Sequence, residues 1–472
     1  MEHEENYIKI YKYLFLIPWK QLLEEKSMYI LTLNCGSSSA KYQLYDWDEK
    51  EALAKGIVER VTIGNSYISH FARGKGTKKI ERECPTHREA IDLIINCLLD
   101  PKMGAISSIR DIKAVGHRLV HGGEKLTRSV VVNRETIKTA KEVSDLGPLH
   151  NPANILGIEA AMELMPDIPH TVSMDTAWHQ TMPAHAYMYA LPFEWYRKYR
   201  VRRYGFHGTS FLYIAKRASV LLGKDPFETN IIGLHIGNGA SANAVLKGVS
   251  VDTSMGMTPL EGLVMGTRSG DHDPAIDFYM MRKENINPDD MEAILNKKSG
   301  MLGITERYVD RRDVIAAREK GEEQADLAVR LEAYRIKKYV GAYTAALGRV
   351  DAIVFTAGVG EMSPPIRQMA LEGLEGIGIV IDPEKNALSR CRNAETEITA
   401  EGSRIKVYVI PTDEELVLTE DAFALMQGTY DVHTNFTYSF QRRDYVNKER
   451  AAAFKSDLQK QPDLRDIVAR VP

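Results

Sequence analysis

Three times in this chain an apolar, strand-like segment leads directly into a glycine-rich turn. The three segments are residues 30–41 (ILTLNCGSSSAK), 231–242 (IIGLHIGNGASA) and 353–361 (IVFTAGVGE). Such a turn directs backbone N–H groups to one point, and glycine lets the main chain approach an anion closely. One turn of this kind is a weak signal, but three of them, two rich in Asn or Ser, indicate a polyphosphate ligand. The sequence therefore predicts a nucleotide-dependent phosphotransferase.

Length and composition narrow the class of protein. The chain has 472 residues, which exceeds one typical hydrophobic core, so we expect two domains. A net charge of −3 gives no basis for nucleic-acid binding. No segment reaches the roughly 18–20 apolar residues of a membrane span, and we expect no membrane partner. The four cysteines have neither zinc-site nor disulfide-framework spacing, which favours a reducing, cytoplasmic location.

Strand-like and helix-like segments alternate along the chain, which is typical of an α/β architecture with largely parallel sheets. Strands are predicted at 29–33, 41–46, 112–115, His170–Met174, 231–236, Ala352–Thr356 and 406–410, and helices at His87–Leu99, 135–143, 154–164, 289–296 and 322–347. Ligands of such folds lie beyond the carboxyl ends of the strands, where the glycine turns fall. Residues 1–27 are predicted to be a non-catalytic leader. Residues 429–472 are predicted to form a solvated or loosely docked extension with a short helix near 449–458.

Cationic and imidazole side chains lie beside these turns and strand ends. Arg118 follows the predicted strand 112–115, and Arg268 lies in the glycine-flanked stretch GTRSGDHD. His207 lies in YGFHGTS, and Lys41 follows the first glycine turn. Phosphoryl transfer needs cations against the equatorial oxygens and a metal ion on the phosphates. These four residues are therefore candidates for binding a transferring phosphoryl group, although each of them could also be structural.

Two acidic residues are candidate Mg²⁺ ligands because Mg²⁺ prefers oxygen donors and needs few carboxylates. Asp175 ends a predicted strand, and Glu414 follows the strand 406–410. The alternative for each is a helix-capping or solvent-facing acid. Five further histidines near predicted turns leave a zinc hydrolase as an alternative, although none has metal-ligand spacing such as HExxH; they are His117, His121, His150, His179 and His235.

Long motifs between about residues 28 and 425 closely resemble the acetate kinase family. They are NCGSSS (34–39), GHRLVHGG (116–123), PLHNP (148–152), HQTMP (179–183), YGFHGTS (204–210), HIGNGAS (235–241), DTSMGMTPLEGLVMGTRSGDHD (252–273), FTAGVGE (355–361) and PTDEEL (411–416). The resemblance implies an α/β fold of two actin-like (ribonuclease H-like) lobes with an ATP cleft between them, in a homodimer. The implied domains are an N-terminal lobe (28–177), a C-terminal lobe with the nucleotide pocket (178–414) and a terminal helix returning to the first lobe (415–428).

The resemblance also implies an activity and a role for each site residue. The activity is reversible, Mg²⁺-dependent phosphoryl transfer from ATP to acetate. Arg118 would bind acetate, while Arg268 and His207 would stabilise the transferring group. Asn34 and Glu414 would bind Mg²⁺, with Lys41 on the phosphate side. The ATP-binding residues would be His235, Ile236, Gly237, Asn238, Gly239, Asp310, Arg311, Arg312, Gly358, Val359, Gly360, Glu361 and Met362. The methyl group of acetate would contact Val120, Leu149, Phe206 and Pro259.

The resemblance implies that Asp175 is a catalytic residue. Acid–base chemistry argues against a role as general base. Acetate is already ionised at neutral pH, since carboxyl pKa values are about 4, so its attack needs no general base. We therefore expect Asp175 to orient a Mg²⁺-bound water or Arg118. The reaction must instead bring two anions together, acetate and the phosphate chain of ATP. This need explains why two arginines, a histidine and a metal ion are expected at one point.

Five positions depart from the family pattern without removing a charged catalytic group; they are Phe211, Met362, Trp178, His272 and the stretch 305–309 (TERYV). The Met362 and 305–309 differences leave the nucleotide preference open. His272 replaces an aliphatic residue and predicts an activity more sensitive to pH.

Other activities fit the same residues. A propionate or butyrate kinase differs only in the methyl pocket, where one methylene is worth about 1–3 kcal/mol, so Phe206 favours acetate without excluding propionate. Pyrophosphate could replace ATP as donor, although the small pair Gly358 and Val359 leaves space for adenosine. A non-catalytic actin-like nucleotide-binding protein would need the glycine turns, but not Arg118, His207 and Arg268 together.

Overall fold

The computed structural model describes residues 28–148 and 150–472. The predicted leader (1–27) and Leu149 of the predicted methyl pocket lie outside the described residues. The chain divides into two compact units. The first contains the residues up to Met174 together with Glu415–Phe436, and the second contains Asp175–Glu414 and Thr437–Pro472. Each unit has its own β-sheet.

The first unit contains an eight-stranded sheet with the order β5-β4-β3-β2-β1-β6-β8-β7. Its strands are β1 (Tyr29–Cys35), β2 (Ser39–Asp46), β3 (Glu51–Glu59), β4 (Tyr67–Ala72), β5 (Gly76–Glu81), β6 (Ile112–Leu119), β7 (Val130–Val131) and β8 (His170–Met174). Strands β1 to β5 form an antiparallel meander, whereas β6 pairs in parallel with both β1 and β8.

The second unit contains a six-stranded sheet with the order β11-β10-β9-β12-β14-β13. Its strands are β9 (Asn230–Ile236), β10 (Ala240–Leu246), β11 (Val249–Thr253), β12 (Ala352–Thr356), β13 (Thr396–Glu397) and β14 (Lys406–Val409). Strands β9 to β11 are antiparallel, and β12 is parallel to both β9 and β14. Each sheet therefore contains an antiparallel meander, of five strands in the first sheet and three in the second, followed by two parallel strands. This confirms the predicted α/β class with two lobes of similar design.

The expectation of largely parallel sheets is wrong, because antiparallel pairings outnumber parallel ones in both. The first two glycine turns join neighbouring strands through residues 36–38 and 237–239 alone. A parallel connection needs about a dozen residues or more, so such short turns can form only hairpins. The β6 strand also extends beyond its predicted end at residue 115, and Arg118 lies within the strand and not after it.

Helices cover the sheets. They are α1 (His87–Leu99), α2 (Arg134–Glu142), α3 (Asn151–Leu164), α4 (Ala184–Tyr187), α5 (Phe193–Tyr199), α6 (Gly208–Leu221), α7 (Ala275–Glu284), α8 (Pro288–Lys297), α9 (Gly300–Thr305), α10 (Arg311–Glu319), α11 (Glu323–Leu347), α12 (Ala357–Met362), α13 (Pro364–Leu371), α14 (Pro383–Leu388), α15 (Glu414–Gln427) and α16 (Lys448–Lys460). Among the described residues, no helix is both long and apolar enough to cross a membrane.

Local sequence explains the helix α1 directly. Apolar side chains recur at helical spacing, and Ala90, Ile91 and Ile94 are fully buried in the core of the first unit. Thr86 and Glu89 form a capping box that satisfies the first N–H groups of the helix. The predicted bounds of α1 are therefore those observed.

The sequence predicted a solvated or loosely docked C-terminal extension. This prediction is wrong, because the extension has buried side chains. Tyr438 and Phe440 are completely buried, and Leu464 and Ile467 pack in one apolar cluster with Cys391. The guanidinium of Arg217 on α6 donates to the carbonyl oxygen of Phe440 at 2.6 Å. From Thr437 onwards the extension is thus part of the second unit, held by apolar burial and by a hydrogen bond to its main chain.

A buried histidine pair lies in the parallel part of the first sheet. The Nε2 atom of His170 lies 3.2 Å from the carbonyl oxygen of Met165, to which it can only donate. Its Nδ1 atom therefore accepts from His117 Nε2, at 2.9 Å. Burial lowers the pKa of His170 to about 4 and that of His117 well below its usual value. Both rings are neutral in the folded protein.

Acid should therefore destabilise the first unit. A histidine whose pKa is about 4 when folded and about 6.5 when unfolded stabilises the fold above about pH 6.5, and this stabilisation is lost as the pH falls towards 4. For His170 alone the loss between pH 7 and pH 5 is about 2 kcal/mol. Urea unfolding at these two pH values should show a smaller pH dependence in His170→Gln than in the wild type. The exposed His185→Gln is the control; an unchanged dependence in His170→Gln contradicts the prediction.

Candidate active site

The second and third glycine turns lie side by side at one edge of the second sheet. Strands β9 and β12 are parallel neighbours, and His235 pairs with Thr356 at their ends. A Cβ atom placed on Gly237 of the second turn would lie 3.7 Å from the Cβ atom of Ala357 in the third. The carboxyl ends of two parallel strands thus present both turns at the place where ligands of such sheets bind.

Two histidine rings stack beside these turns. The rings of His207 and His235 have centroids 4.0 Å apart and planes inclined by 14°. His207 Nδ1 lies 2.8 Å from the Ser241 hydroxyl, and His235 Nδ1 lies 2.9 Å from the Ser210 hydroxyl. Each ring is oriented through one nitrogen, so its Nε2 edge has a defined direction.

The main chain around His207 is held on both sides. His207 has a φ of 57°, and the N–H of Gly208 donates to the Asp175 carbonyl oxygen at 3.0 Å. A Cβ atom on Gly208 would lie 2.1 Å from that same oxygen, so only glycine fits. On the other side, His179 Nε2 donates to the Phe206 carbonyl oxygen at 2.9 Å. Burial lowers the pKa of His179 to about 4, which keeps this ring neutral.

Arg268 brings a positive charge to the same place. Its Nη1 atom contacts the Pro259 carbonyl oxygen at 3.2 Å and the Met265 sulfur at 3.6 Å, both neutral. It forms no ion pair with any residue of 28–148 or 150–472. Burial lowers the pKa of this guanidinium below its usual value. A Cβ atom on Gly239 would lie 3.4 Å from Arg268 Nη1 and 3.6 Å from His207 Nε2. A guanidinium, an imidazole and a glycine main chain therefore surround one small space suited to an anion.

The carboxylate of Glu414 lies at the start of α6. Its Oε2 atom accepts from the Thr209 hydroxyl at 3.1 Å, two residues after His207. Within the described ranges, no group of three or more His, Cys, Asp or Glu could hold a metal ion.

The predicted adenosine-pocket residues divide into two groups. Residues 358–362 lie in α12, where Glu361 is buried and the Met362 side chain is 38% exposed. Asp310 caps α10, and its ion pair with Arg312 lowers its pKa to about 2. Arg311 instead forms a buried ion pair with Glu332, at 2.8 Å. The guanidinium of Arg311 therefore has a structural partner, and its role in a nucleotide pocket stays a prediction.

The predicted site residues of the first unit form a separate group at the ends of β1 and β6. Asn34 and Lys41 are directly opposite each other in the β1–β2 hairpin. Arg118 Nη1 lies 3.4 Å from the Asn34 amide oxygen. The backbone N–H of Val120 donates to Asn154 on α3, at 3.0 Å. In this unit, the amide oxygen of Asn34, which could bind a metal ion, therefore lies near the cations Lys41 and Arg118. The apolar residue Val120 comes shortly after Arg118, directly beyond the end of β6.

Sequence reasoning missed the hydroxyl groups that orient the site. Ser210, Ser241 and Thr209 hold His235, His207 and Glu414, respectively. All three lie inside or next to the glycine motifs, YGFHGTS and HIGNGAS, so a signal was present. The pairing of each hydroxyl with its partner depends on long-range folding, and spacing along the chain does not show it.

Comparison with known proteins agrees with this geometry. A sequence model of the Acetokinase family matches residues 29–420. The chain belongs to the acetokinase family. The acetate kinase of Treponema pallidum is 60% identical over 442 residues, covering 93% of this chain and 99% of that protein.

Two solved structures of the family have similar folds. The crystal structure of the Porphyromonas gingivalis acetate kinase has a TM-score of 0.81 and 44% identity over 84% of this chain and 100% of its own. A propionate kinase from Francisella tularensis has a TM-score of 0.79 and 37% identity over the same shares. Family membership and fold are thus established by sequence and structure together.

A methyl group on Gly239 should block the anion space without disturbing the fold. Its contacts with Arg268 and His207 would be ordinary van der Waals distances, so we expect Gly239→Ala to fold normally. We expect the Kd for Mg·ADP, measured by calorimetry, to rise about tenfold or more, equivalent to about 1.4 kcal/mol. Gly341→Ala is the matched control, because a Cβ there meets nothing within 4 Å. Equal nucleotide affinity in the two variants would exclude this space as a phosphate site.

Proposed function

We propose that this protein catalyses the reversible transfer of the γ-phosphoryl group of ATP to the carboxylate of acetate, which yields acetyl phosphate and ADP. The observation that supports this most strongly is the space beside Gly239, where Arg268 has no carboxylate partner among the described residues. A partly buried guanidinium without a counter-charge favours an anionic ligand. The names of the family's relatives supply acetate as the substrate.

In this proposal, the second unit binds the phosphoryl group. Arg268 and the Nε2 edge of His207 donate to the equatorial oxygens, on which charge is spread in the transition state. The backbone N–H groups of residues 235–239 and 358–362 bind the remaining phosphates and the nucleotide. The site is organised before substrate arrives, because Ser241 and the Gly208–Asp175 contact already fix His207.

We assign acetate binding to Arg118, whose guanidinium matches a carboxylate. Val120, Phe206 and Pro259 are assigned to the methyl group, and Lys41 to the phosphates. Asp175 is assigned an orienting role, because an ionised acetate attacks without a base. Direct in-line transfer requires no covalent enzyme intermediate and depends on this positioning.

The residues proposed to bind Mg²⁺ fit its chemistry. Asn34 offers an amide oxygen and Glu414 a carboxylate, both hard donors, and the Thr209 hydroxyl orients Glu414. Magnesium keeps several water and phosphate ligands, so two protein oxygens are sufficient. When bound, the ion neutralises charge on the phosphates. The protein's own contribution is to hold these oxygens in place.

Propionate is the second candidate acceptor, because a structural neighbour of 37% identity is named a propionate kinase. One extra methylene changes the binding energy in an apolar pocket by about 1–3 kcal/mol, so a modest preference is expected. Phe206, which is almost fully buried, favours the smaller acid.

The activity is tested by incubating purified protein with Mg·ATP and acetate and by trapping the acyl phosphate with hydroxylamine. Propionate, butyrate and no-acid reactions run in parallel. We expect product with acetate in clear excess over butyrate. A larger kcat/KM for propionate would assign the second candidate. Product with pyrophosphate and none with ATP would reassign the donor, and nucleotide binding without any product would indicate a non-catalytic relative.

Loss of either proposed substrate-binding arginine should reduce turnover while the fold survives. Arg268→Ala and Arg118→Ala each remove one charge, and we expect kcat to fall by about a hundredfold or more. Thermal unfolding should remain close to that of wild type, because Arg268 contacts only neutral groups in the described residues. Wild-type turnover in either variant would refute the assigned role.

We also propose that the protein is a cytoplasmic homodimer. Its four cysteines are free and buried, as expected in a reducing compartment. Apolar side chains on α7 are strongly exposed: Ile276 by 50%, Phe278 by 60% and Tyr279 by 53%. Exposed apolar groups on neighbouring turns of one helix are typical of an interface between subunits.

A charge on this helix should weaken the dimer. We expect light scattering after size exclusion to show a dimer for wild type and a shift towards monomer for Phe278→Asp, because an interface excludes an unpaired charge. Leu156→Asp on α3 of the first unit is the control, since Leu156 is equally exposed at 56%. A monomeric wild type, or an undisturbed Phe278→Asp dimer, would contradict this interface.

A further inference from the structure

The C-terminal extension contacts the segment that leads into Glu414. Arg450, on α16, donates from Nη1 to the Pro411 carbonyl oxygen at 2.6 Å and from Nη2 to the Thr412 carbonyl oxygen at 2.5 Å. Asn447 donates from Nδ2 to the Asp413 carboxylate at 2.9 Å. Three consecutive residues immediately before Glu414 are therefore held by one turn of the extension.

Arg450 is a partly buried cation whose guanidinium is held by two main-chain carbonyl oxygens. Burial disfavours its charge, but the Asp413 carboxylate and the neighbouring Tyr213 and Tyr445 raise its pKa above the usual value. A charge removed from water is costly unless its hydrogen bonds are well formed. The two short contacts to main-chain carbonyl oxygens meet this need, and they constrain the carbonyl groups in turn.

The same segment is joined to the third glycine turn through Glu361. Burial raises the pKa of Glu361, while the charges of Arg392 and Arg450 and the backbone N–H groups of Ala357 and Thr412 oppose that rise. The Glu361 carboxylate therefore bridges two main-chain groups. Ala357 needs such support, because its φ of 66° lies in the left-handed region that disfavours a side chain.

Thr412 is the common point of this network. Its carbonyl oxygen accepts from Arg450, and its N–H, like that of Ala357, favours the charged form of the Glu361 carboxylate. The extension is thus linked, through the residues before Glu414 and through the Glu361 carboxylate, to the start of α12.

We propose that Arg450 is a positioning residue for the nucleotide and metal, acting through the 411–413 segment and Glu361. It contacts neither substrate itself. The inference rests on the proposed roles of Glu414 and residues 358–362. It assigns a function to the extension, all of which lies beyond residue 420, where the match to the family model ends.

The expected effect is selective. Magnesium demands nearly ideal ligand geometry, and a displacement of about 1 Å can cost about a hundredfold in rate. Loss of the Arg450 contacts should therefore raise the Mg²⁺ concentration needed for half-maximal activity and the KM for ATP. The KM for acetate should not change, because the guanidinium of Arg450 donates to Pro411 and Thr412 and to none of the residues proposed to bind acetate.

The test compares Arg450→Ala, Arg450→Lys and Asn447→Ser with wild type. We expect Arg450→Ala to raise the Mg²⁺ requirement and the KM for ATP by about tenfold, or about 1.4 kcal/mol. Arg450→Lys should restore part of the loss, because an ammonium group can reach one carbonyl oxygen but does not match the guanidinium fork. Asn447→Ser keeps a good helix cap and loses the reach to Asp413, so an intermediate change is expected even if Arg450→Ala fails to fold.

Arg442→Ala is the matched control on the extension, because Arg442 is 70% exposed and pairs with Asp444 two residues away. It should leave every kinetic constant unchanged. Equal changes in the KM for ATP and for acetate, or a lower Tm with unchanged kinetic constants, would overturn the positioning role. So would an unchanged Mg²⁺ requirement in Asn447→Ser.

Calorimetric binding of Mg·ADP separates this inference from the proposed activity. A wild type that binds Mg·ADP but phosphorylates no acid would refute the activity alone. In that case a weaker binding by Arg450→Ala, relative to Arg442→Ala, would still support the positioning role. Equal binding by the two variants would overturn it whether or not acetate is phosphorylated.

Discussion

The close contact between the Gly208 main chain and the Asp175 carbonyl oxygen organises the site in the second unit. No side chain fits at Gly208, and the contact fixes where α6 begins. The first turn of α6 then places the hydroxyls of Thr209 and Ser210 against Glu414 and His235. One steric constraint in the main chain thus positions an acid and two imidazoles, as catalysis by preorganised groups requires.

Charge pairing distinguishes the arginines that support the fold from those proposed to bind substrate. Arg217 and Arg311 are buried and form ion pairs with Glu395 and Glu332. Arg268 is only partly buried, and its contacts within the described residues are to neutral groups. A partly buried cation without a counter-charge costs a folded protein some stability, so its retention is consistent with an anionic ligand that completes the pairing.

Main-chain groups also stabilise the charged side chains around Thr412, next to the proposed metal ligand Glu414. Arg450 is partly buried and donates to carbonyl oxygens, and backbone N–H groups favour the charged form of the buried Glu361. Each charge is stabilised by main-chain dipoles in addition to the opposite charge. Such bonding holds a loop in one conformation, which a metal site with few protein ligands needs.

Local sequence alone determined the elements whose signals lie within the element itself, such as apolar spacing, caps and glycine-rich turns. The apolar spacing and capping box of α1 set its bounds, and glycine-rich turns marked the edge of the second sheet that is proposed to bind phosphate. The helix α6 escaped prediction because it is buried on all sides and has no amphipathic pattern. The partners of Arg268, Arg311 and Arg450 were decided by tertiary structure, because burial and charge pairing depend on residues far apart in the chain. Motifs therefore specify which chemical groups are present, whereas packing decides which of them remain available to a ligand.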